Sequence, residues 1–219
     1  MVTTKRIFAD RAEAGIELGK LLQGKYKNKN ALVLGVPRGG VIVACEVAGM
    51  LNAELSVVIT KKLPHPHHHN RDVGAVAEDG SFFSSNVSDL DRNQVNQIHT
   101  QQLREIGSRV QTFRNGKPLP AMANRVVIIV DDAIATGSTI VPVIKLCQSR
   151  NAAHVIVAAP VSSRSYVSEI NMLADEVVIA AQCADFYAVG QYYQDFQVLS
   201  DSHVVEKLNR CQPVYRRRI

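Results

Sequence analysis

Short apolar runs alternate with amphipathic stripes along most of the chain. Val126–Val130 is an unbroken β-branched run, too short for a helix and suited to a strand buried on both faces of a parallel sheet. After a small polar turn, Ile140, Val143, Ile144 and Cys147 repeat at i, i+3, i+4 and i+7, the apolar stripe of a helix. Pro142 fits that helix because the first turn has N–H groups without intrahelical partners. The same alternation predicts strands over 31–36, 55–60, 154–159 (closed by Pro160) and 176–180. It predicts helices over 8–22, 41–51, 161–173 and 201–211, the first with Ile16, Leu18, Leu21 and Leu22 as its apolar residues. The middle reads differently. Residues 74–78 and 81–85 form two short strands around Asp79-Gly80, a hairpin signal. A long helix follows over 89–113, capped by Ser88, with Leu103, Ile106, Val110 and Phe113 as its stripe. Repeated βα units imply a three-layer α/β domain, a mostly parallel central sheet with helices on both faces.

Composition narrows the class. The 219 residues suit a single domain with a full core. No apolar run approaches the roughly 20 residues a membrane span needs, and the first residues lack the apolar segment of a signal peptide. Cys45, Cys147, Cys183 and Cys211 are scattered without C-x-x-C spacing, which reads as reduced thiols and a cytoplasmic location. The formal charge of +5 suits a polyanionic small substrate. Part of it is the tail Arg216-Arg217-Arg218, so it argues weakly for nucleic acid, and no membrane partner is expected.

The chemistry gathers in two turns. Asp131 and Asp132 follow the 126–130 strand at its carboxyl end, where open α/β sheets bind ligands. Such a pair can hold sugar hydroxyls or Mg²⁺. Ala135-Thr136-Gly137-Ser138-Thr139 then leads into a helix N-terminus, whose free N–H groups and hydroxyls suit an anion. The carboxylates face ligand, with no buried partner expected for them. The strand at 31–36 runs into Pro37-Arg38-Gly39-Gly40, where glycines permit close backbone approach and Arg38 offers a fork to phosphate. Gly19-x4-Gly24-Lys25 mimics a P-loop, but no strand precedes it and Tyr26 stands where a metal-binding hydroxyl is needed. Residues 61–73, Lys61-Lys62-Leu63-Pro64 and a His-rich run from His65 to Asp72, read as a polar, Pro-broken mobile loop. Its histidines 65 and 67–69 are loop residues more often than Zn²⁺ ligands. Residues 184–196 concentrate aromatics, either as an apolar plug or as rings that stack on a planar acceptor.

The acidic pair with Ala-Thr-Gly-Ser-Thr resembles the ribose-phosphate signature of the type I phosphoribosyltransferases. Gly35-x-Pro-Arg-Gly-Gly, Val130-Asp-Asp-x-x-Ala-Thr-Gly and Phe186-x-Ala-Val-Gly-x-x-Tyr-x-Asp-Phe also resemble a bacterial subgroup whose acceptor is not established; that likeness runs over nearly the whole chain. The resemblance implies a single phosphoribosyltransferase domain over 1–219. Its core would span about 28–180, with a small hood from about 1–27 and 181–219. It implies that Asp131 and Asp132 bind the ribose of phosphoribosyl diphosphate (PRPP) and a Mg²⁺ ion. Ala135, Thr136, Gly137, Ser138 and Thr139 would wrap the 5′-phosphate, and Pro37, Arg38, Gly39 and Gly40 the pyrophosphate. Lys61, Lys62 and Arg71 would reach the diphosphate from the flexible loop. Val161, Ser162, Phe186 and Tyr187 become neighbours of an unknown base or amine acceptor. The 6-oxopurine enzymes carry Asp where this chain has Ala135, which argues against a hypoxanthine or guanine acceptor and leaves no evident base in the loop. A PRPP- or nucleotide-sensing regulator on the same fold is the alternative, and a homo-oligomer is left open.

Overall fold

The computed structural model describes residues 7–216 except 69, 86 and 88, with side chains as far as 211. Five strands form one parallel sheet: β1 (Leu32–Gly35), β2 (Glu54–Val57), β6 (Val126–Val130), β7 (His154–Ser163) and β8 (Glu176–Cys183), in the order β2-β1-β6-β7-β8. Side chains alternate across it. Val127 and Ile129 enter a core with Ile140, Val143 and Ile144 of α4 (Ile140–Ser149), closed by Ile170 of α5 (Glu169–Leu173). Ile128 and Val130 enter a second core on the other face. There they meet Leu18 and Leu22 of α1 (Arg11–Tyr26) and Val43, Val47 and Leu51 of α2 (Gly39–Leu51). Both faces are covered, which is why the strands read as continuous apolar runs.

The strand order fixes where a ligand can enter. The chain leaves β1 through α2 to β2 on one side, and leaves β6 through α4 to β7 on the other. The direction of winding reverses between β1 and β6, which lie side by side with Gly35 opposite Val130. A crevice opens at such a reversal, beyond the carboxyl ends of the two strands.

Beside this sheet stands an antiparallel unit of β3 (Thr60–Pro64), β4 (Asp72–Ala77) and β5 (Phe82–Ser84). Ile59, Leu63, Val73 and Val76 pack with Ile106 and Phe113 of α3 (Arg92–Arg114) and with Val204 and Leu208 of α6 (Asp201–Arg216). Near the termini, Phe8 pairs with Tyr193 as an isolated bridge, and Gln194 N–H donates to the Phe8 carbonyl at 2.9 Å. Phe8, Ala14, Val161, Tyr192 and Tyr193 form one small apolar cluster there.

Four expectations change. Lys61 and Lys62 lie in β3, paired with Val76 and Ala75 of β4, so much of the segment expected as loop is a two-stranded arm. Leu63 supplies the apolar anchor that makes those strands, since it is buried, with half-buried Lys61 on the same face and Lys62 exposed on the other. Pro160 does not close β7. It falls between the last β6–β7 pair, Val130–Ala158, and the Ile134–Ser162 bridge, where its missing N–H removes no ladder bond. Helix α5 is correspondingly short. The Ser88 cap lies outside the described residues; the cap of α3 is Asp91, in a reciprocal capping box with Gln94. On α1, Ile16 and Leu21 are exposed while Leu18 and Leu22 are buried. No described helix is long and apolar enough to cross a membrane.

Candidate functional site

Two βα turns meet in the crevice. Neither α2 nor α4 has a side-chain cap at its N-terminus, so no side chain competes with a ligand for the N–H groups there. Val36 N–H donates to the Val130 carbonyl at 2.9 Å, which holds the two turns at one level. The glycines then press against the acids. A Cβ on Gly39 would overlap Asp132 Oδ2 and stand 2.8 Å from Arg11 Nε; one on Gly40 would stand 2.7 Å from Asp131 Cα. Only residues without a side chain allow the turns to close this far.

Asp132 is held from three directions. Its N–H donates to Asp131 Oδ1 at 2.8 Å, and its carbonyl accepts from the Tyr193 hydroxyl at 2.6 Å. Its Oδ2 accepts from Arg11 Nε at 2.8 Å, in an ion pair whose side chains are 10% and 14% exposed. Arg11 also donates to the Gln197 carbonyl at 3.0 Å and lies 4.0 Å from the centre of the Phe196 ring. The expectation that no buried partner faces the acids is therefore corrected. Asp131 differs from its neighbour. Burial, and then the charge of Asp132, push its carboxyl well above the usual carboxylate range, and the more distant Arg11 offsets this only in part.

The Ala135–Thr139 turn is built on Gly137, whose φ of 76° lies in the left-handed region. Thr136 Oγ1 and Ser138 Oγ stand 3.2 Å apart, and Ile140 N–H donates to the Gly137 carbonyl. Ala135 and Thr136 are exposed, and Ser138 and Thr139 half-buried. Thr60, at the base of the β3–β4 arm, donates its hydroxyl to the Thr139 carbonyl at 3.2 Å, so arm and turn are joined.

The remaining candidates are dispersed. Arg38 donates to the Leu199 carbonyl and stands 3.9 Å from Asp201, and its preceding peptide is cis. Lys61 pairs with Glu105, Lys62 with Asp72 and Arg71 with Asp89, so the arm's cations are engaged along the arm and α3. Val161 and Ser162 are wholly buried, and the Ser162 hydroxyl has no partner among the described residues. Phe186 packs on Tyr192 at 5.1 Å, whereas Tyr187 is 87% exposed. Of the aromatic run, Tyr192 and Tyr193 belong to the core and Tyr187 to the surface.

In the His-rich stretch, His65 is buried. Its Nδ1 accepts from the His67 N–H at 3.1 Å, and its Nε2 faces Asp89 Oδ2 at 3.0 Å. His65, His68 and Asp89 have ligand atoms within 4.8 Å of one another, but Arg71 occupies the same Asp89 oxygen at 3.0 Å. This is a clasp at the arm's tip; His69 lies outside the described residues.

Sequence reasoning missed Arg11, Tyr193 and Thr60. Arg11 left a signal: with Ala14, Leu18 and Leu22 it falls on the buried stripe of α1. A charged residue on an apolar stripe needs a partner, and Asp132 is that partner.

A family model described as a phosphoribosyl transferase domain matches residues 7–196. Two Mycobacterium tuberculosis proteins that carry a phosphoribosyl transferase name, Rv0571c and MT0597, are each 37% identical over 210 residues. That stretch is 94% of this chain and 47% of each relative, so the chain spans about half the length of the curated relatives it matches. The crystal structure of TT1426 from Thermus thermophilus is similar with a TM-score of 0.79 at 33% identity, covering 93% of this chain and 98% of that one. The purine phosphoribosyltransferase of Pyrococcus horikoshii shares the fold, with a TM-score of 0.51 and 16% identity over 89% of this chain and 97% of that one.

Proposed function

The chain belongs to the phosphoribosyl transferase family, and from that membership and the crevice geometry we propose that it moves the 5-phosphoribosyl group between PRPP and a nitrogenous acceptor, with pyrophosphate as the leaving group. One observation carries the reading. Two uncapped helix N-termini and an acidic pair converge at the reversal between β1 and β6. Helix N-termini take phosphates, and carboxylates accept from vicinal sugar hydroxyls. PRPP offers a phosphate, a ribose diol and a diphosphate in one molecule.

In this reading the turn at 135–139 holds the 5′-phosphate through backbone N–H groups and the hydroxyls of Thr136, Ser138 and Thr139. Asp131 and Asp132 hold the ribose hydroxyls. The Pro37–Gly40 turn carries the diphosphate, with Arg38 released from the Leu199 carbonyl to contact it. Lys61, Lys62 and Arg71 approach when the arm moves in. The reacting carbon gains oxocarbenium character as pyrophosphate leaves and the acceptor nitrogen attacks. The protein's part is positioning and charge stabilisation rather than covalent chemistry. Closure of the arm excludes the water that would otherwise trap the cation. Ala135 gives the loop no proton acceptor, which favours an acceptor that needs none there.

The donor set fits Mg²⁺: Asp131 offers its Oδ2 and Asp132 its Oδ1, both hard oxygen ligands, while the other oxygen of each is held by the Asp132 N–H and Arg11 respectively. Bound with PRPP, such an ion neutralises charge on the diphosphate. Tyr187, the most exposed ring of the 184–196 run among the described residues, is a candidate for stacking on an acceptor.

The test is calorimetry with PRPP and Mg²⁺, then a panel of free bases and amines scored for pyrophosphate release. Heat of binding and release with one acceptor class support the reading. Absence of heat, together with no thermal shift by linkage, sinks it.

A further inference from the structure

The ion pair between Arg11 and Asp132 joins α1 to the acidic turn, and nothing in the proposed transfer yet uses it. Its geometry is specific. Arg11 Nε holds Asp132 Oδ2 at 2.8 Å, which leaves Oδ1 available to a ligand. The guanidinium is fixed in turn by the Gln197 carbonyl at 3.0 Å and by the Phe196 ring at 4.0 Å. It sits against the backbone of Gly39, so it also touches the turn read as the pyrophosphate loop. Tyr193, which donates to the Asp132 carbonyl, stacks against Phe196 with ring centres 5.7 Å apart. One cation thus ties the acidic pair, the Gly39 turn and the segment around 193–197 into a single unit.

We propose that Arg11 is a positioning residue of the PRPP site: it locks Asp132 by one oxygen, presents the other to the ribose, and supplies at that carboxylate the positive charge a polyanionic ligand needs. The inference rests on the reading of the crevice as a PRPP site. Its physical basis is charge. PRPP is strongly anionic, and two bare carboxylates beside the ribose would repel it. A guanidinium anchored away from the ligand offsets that repulsion without competing for the ribose hydroxyls. Its fixed fork also holds Asp132 Oδ2 against Gly39, in the space that a side chain at residue 39 would fill. Substrate affinity, and not only fold stability, therefore depends on residue 11.

The experiment is a calorimetric titration of PRPP at several Mg²⁺ concentrations. It compares wild type, Arg11→Gln, Arg11→Lys, Asp132→Asn and the double variant Arg11→Gln/Asp132→Asn, each first checked by melting. Arg11→Gln is expected to bind PRPP about tenfold or more weakly, the size of one charge-assisted contact. Its deficit should shrink as Mg²⁺ rises, because the ion replaces the missing charge. Arg11→Lys should recover part of the affinity, and the double variant should bind no more weakly than Asp132→Asn alone. A purely structural role would lower the melting temperature and leave the affinity and Mg²⁺ dependence of the folded variant unchanged; that result, or additive losses in the double variant, overturns the proposal. If Arg11→Gln does not fold, Arg11→Lys carries the test, and wild-type affinity in it is equally fatal. Wild type that binds no PRPP refutes the proposed function, and this inference with it. Wild type that binds, with unaltered variants, refutes the inference alone.

Discussion

Gly39 passes so close to Asp132 that a single methyl group on the glycine would occupy the space of Asp132 Oδ2 and crowd Arg11 Nε. The two residues stand on different βα turns, and their contact brings the Gly-rich turn and the acidic pair together. Gly39→Ala should therefore displace the Asp132 carboxylate and strain its ion pair. A cost of about 1–3 kcal/mol is expected, as for other overpacked sites, with a larger loss of PRPP binding. Melting and calorimetry on the same sample check it. A variant of wild-type stability and affinity would mean that the turns separate freely.

Asp131 should make stability depend on pH. Its carboxyl is held well above the ordinary carboxylate range, first by burial and then by Asp132. The folded state therefore holds a proton that the unfolded state releases. Stability from this group is fully present below the unfolded value and is lost as pH rises through the raised folded value. Asp131→Asn abolishes the loss. Its melting temperature should exceed that of wild type at about pH 8 and converge with it toward about pH 4. A constant difference across that range would contradict the assignment. Ligands that need the ionised carboxylate should bind more tightly as pH rises.

Asp132→Asn should behave oppositely. It removes the charge that Arg11 faces in a site where both side chains are nearly buried. The amide oxygen preserves one hydrogen bond, so a loss of about 1–3 kcal/mol is expected at neutral pH. Paired melts of the two Asn variants decide this, since neighbouring carboxylates should shift stability in opposite directions.

The 135–139 turn separates ligand contact from folding. Thr136 is exposed, so Thr136→Val should melt within about 0.5 kcal/mol of wild type and weaken PRPP binding. Gly137 has a positive φ, and a Cβ there would overlap Ile170 Cδ1 and stand 3.2 Å from Ile134 Cγ2. Gly137→Ala should lose about 1–3 kcal/mol of stability as well as ligand affinity. Chemical denaturation read beside calorimetry distinguishes the two variants.

What the chain determined by itself was local. Val126–Val130 is the strand its β-branched run predicts, and α4 begins where the stripe from Ile140 begins. The hairpin turn at Asp79-Gly80 and both Gly-containing βα turns were legible for the same reason: periodicity and turn chemistry act over a few residues. The tertiary structure decided what depends on distant partners. Arg11 and Asp132 are 121 positions apart, so no window of sequence contains their ion pair. β3 is a strand despite Lys61 and Lys62 because Leu63 finds a core built by α3 and α6. β7 runs past Pro160 because the neighbouring strand ends first. Val161 is buried in one cluster with Phe8 and Tyr193, residues from distant parts of the chain. Hydrophobic patterning sets which residues seek burial, whereas the order of strands sets which of them meet, and the crevice belongs to that order.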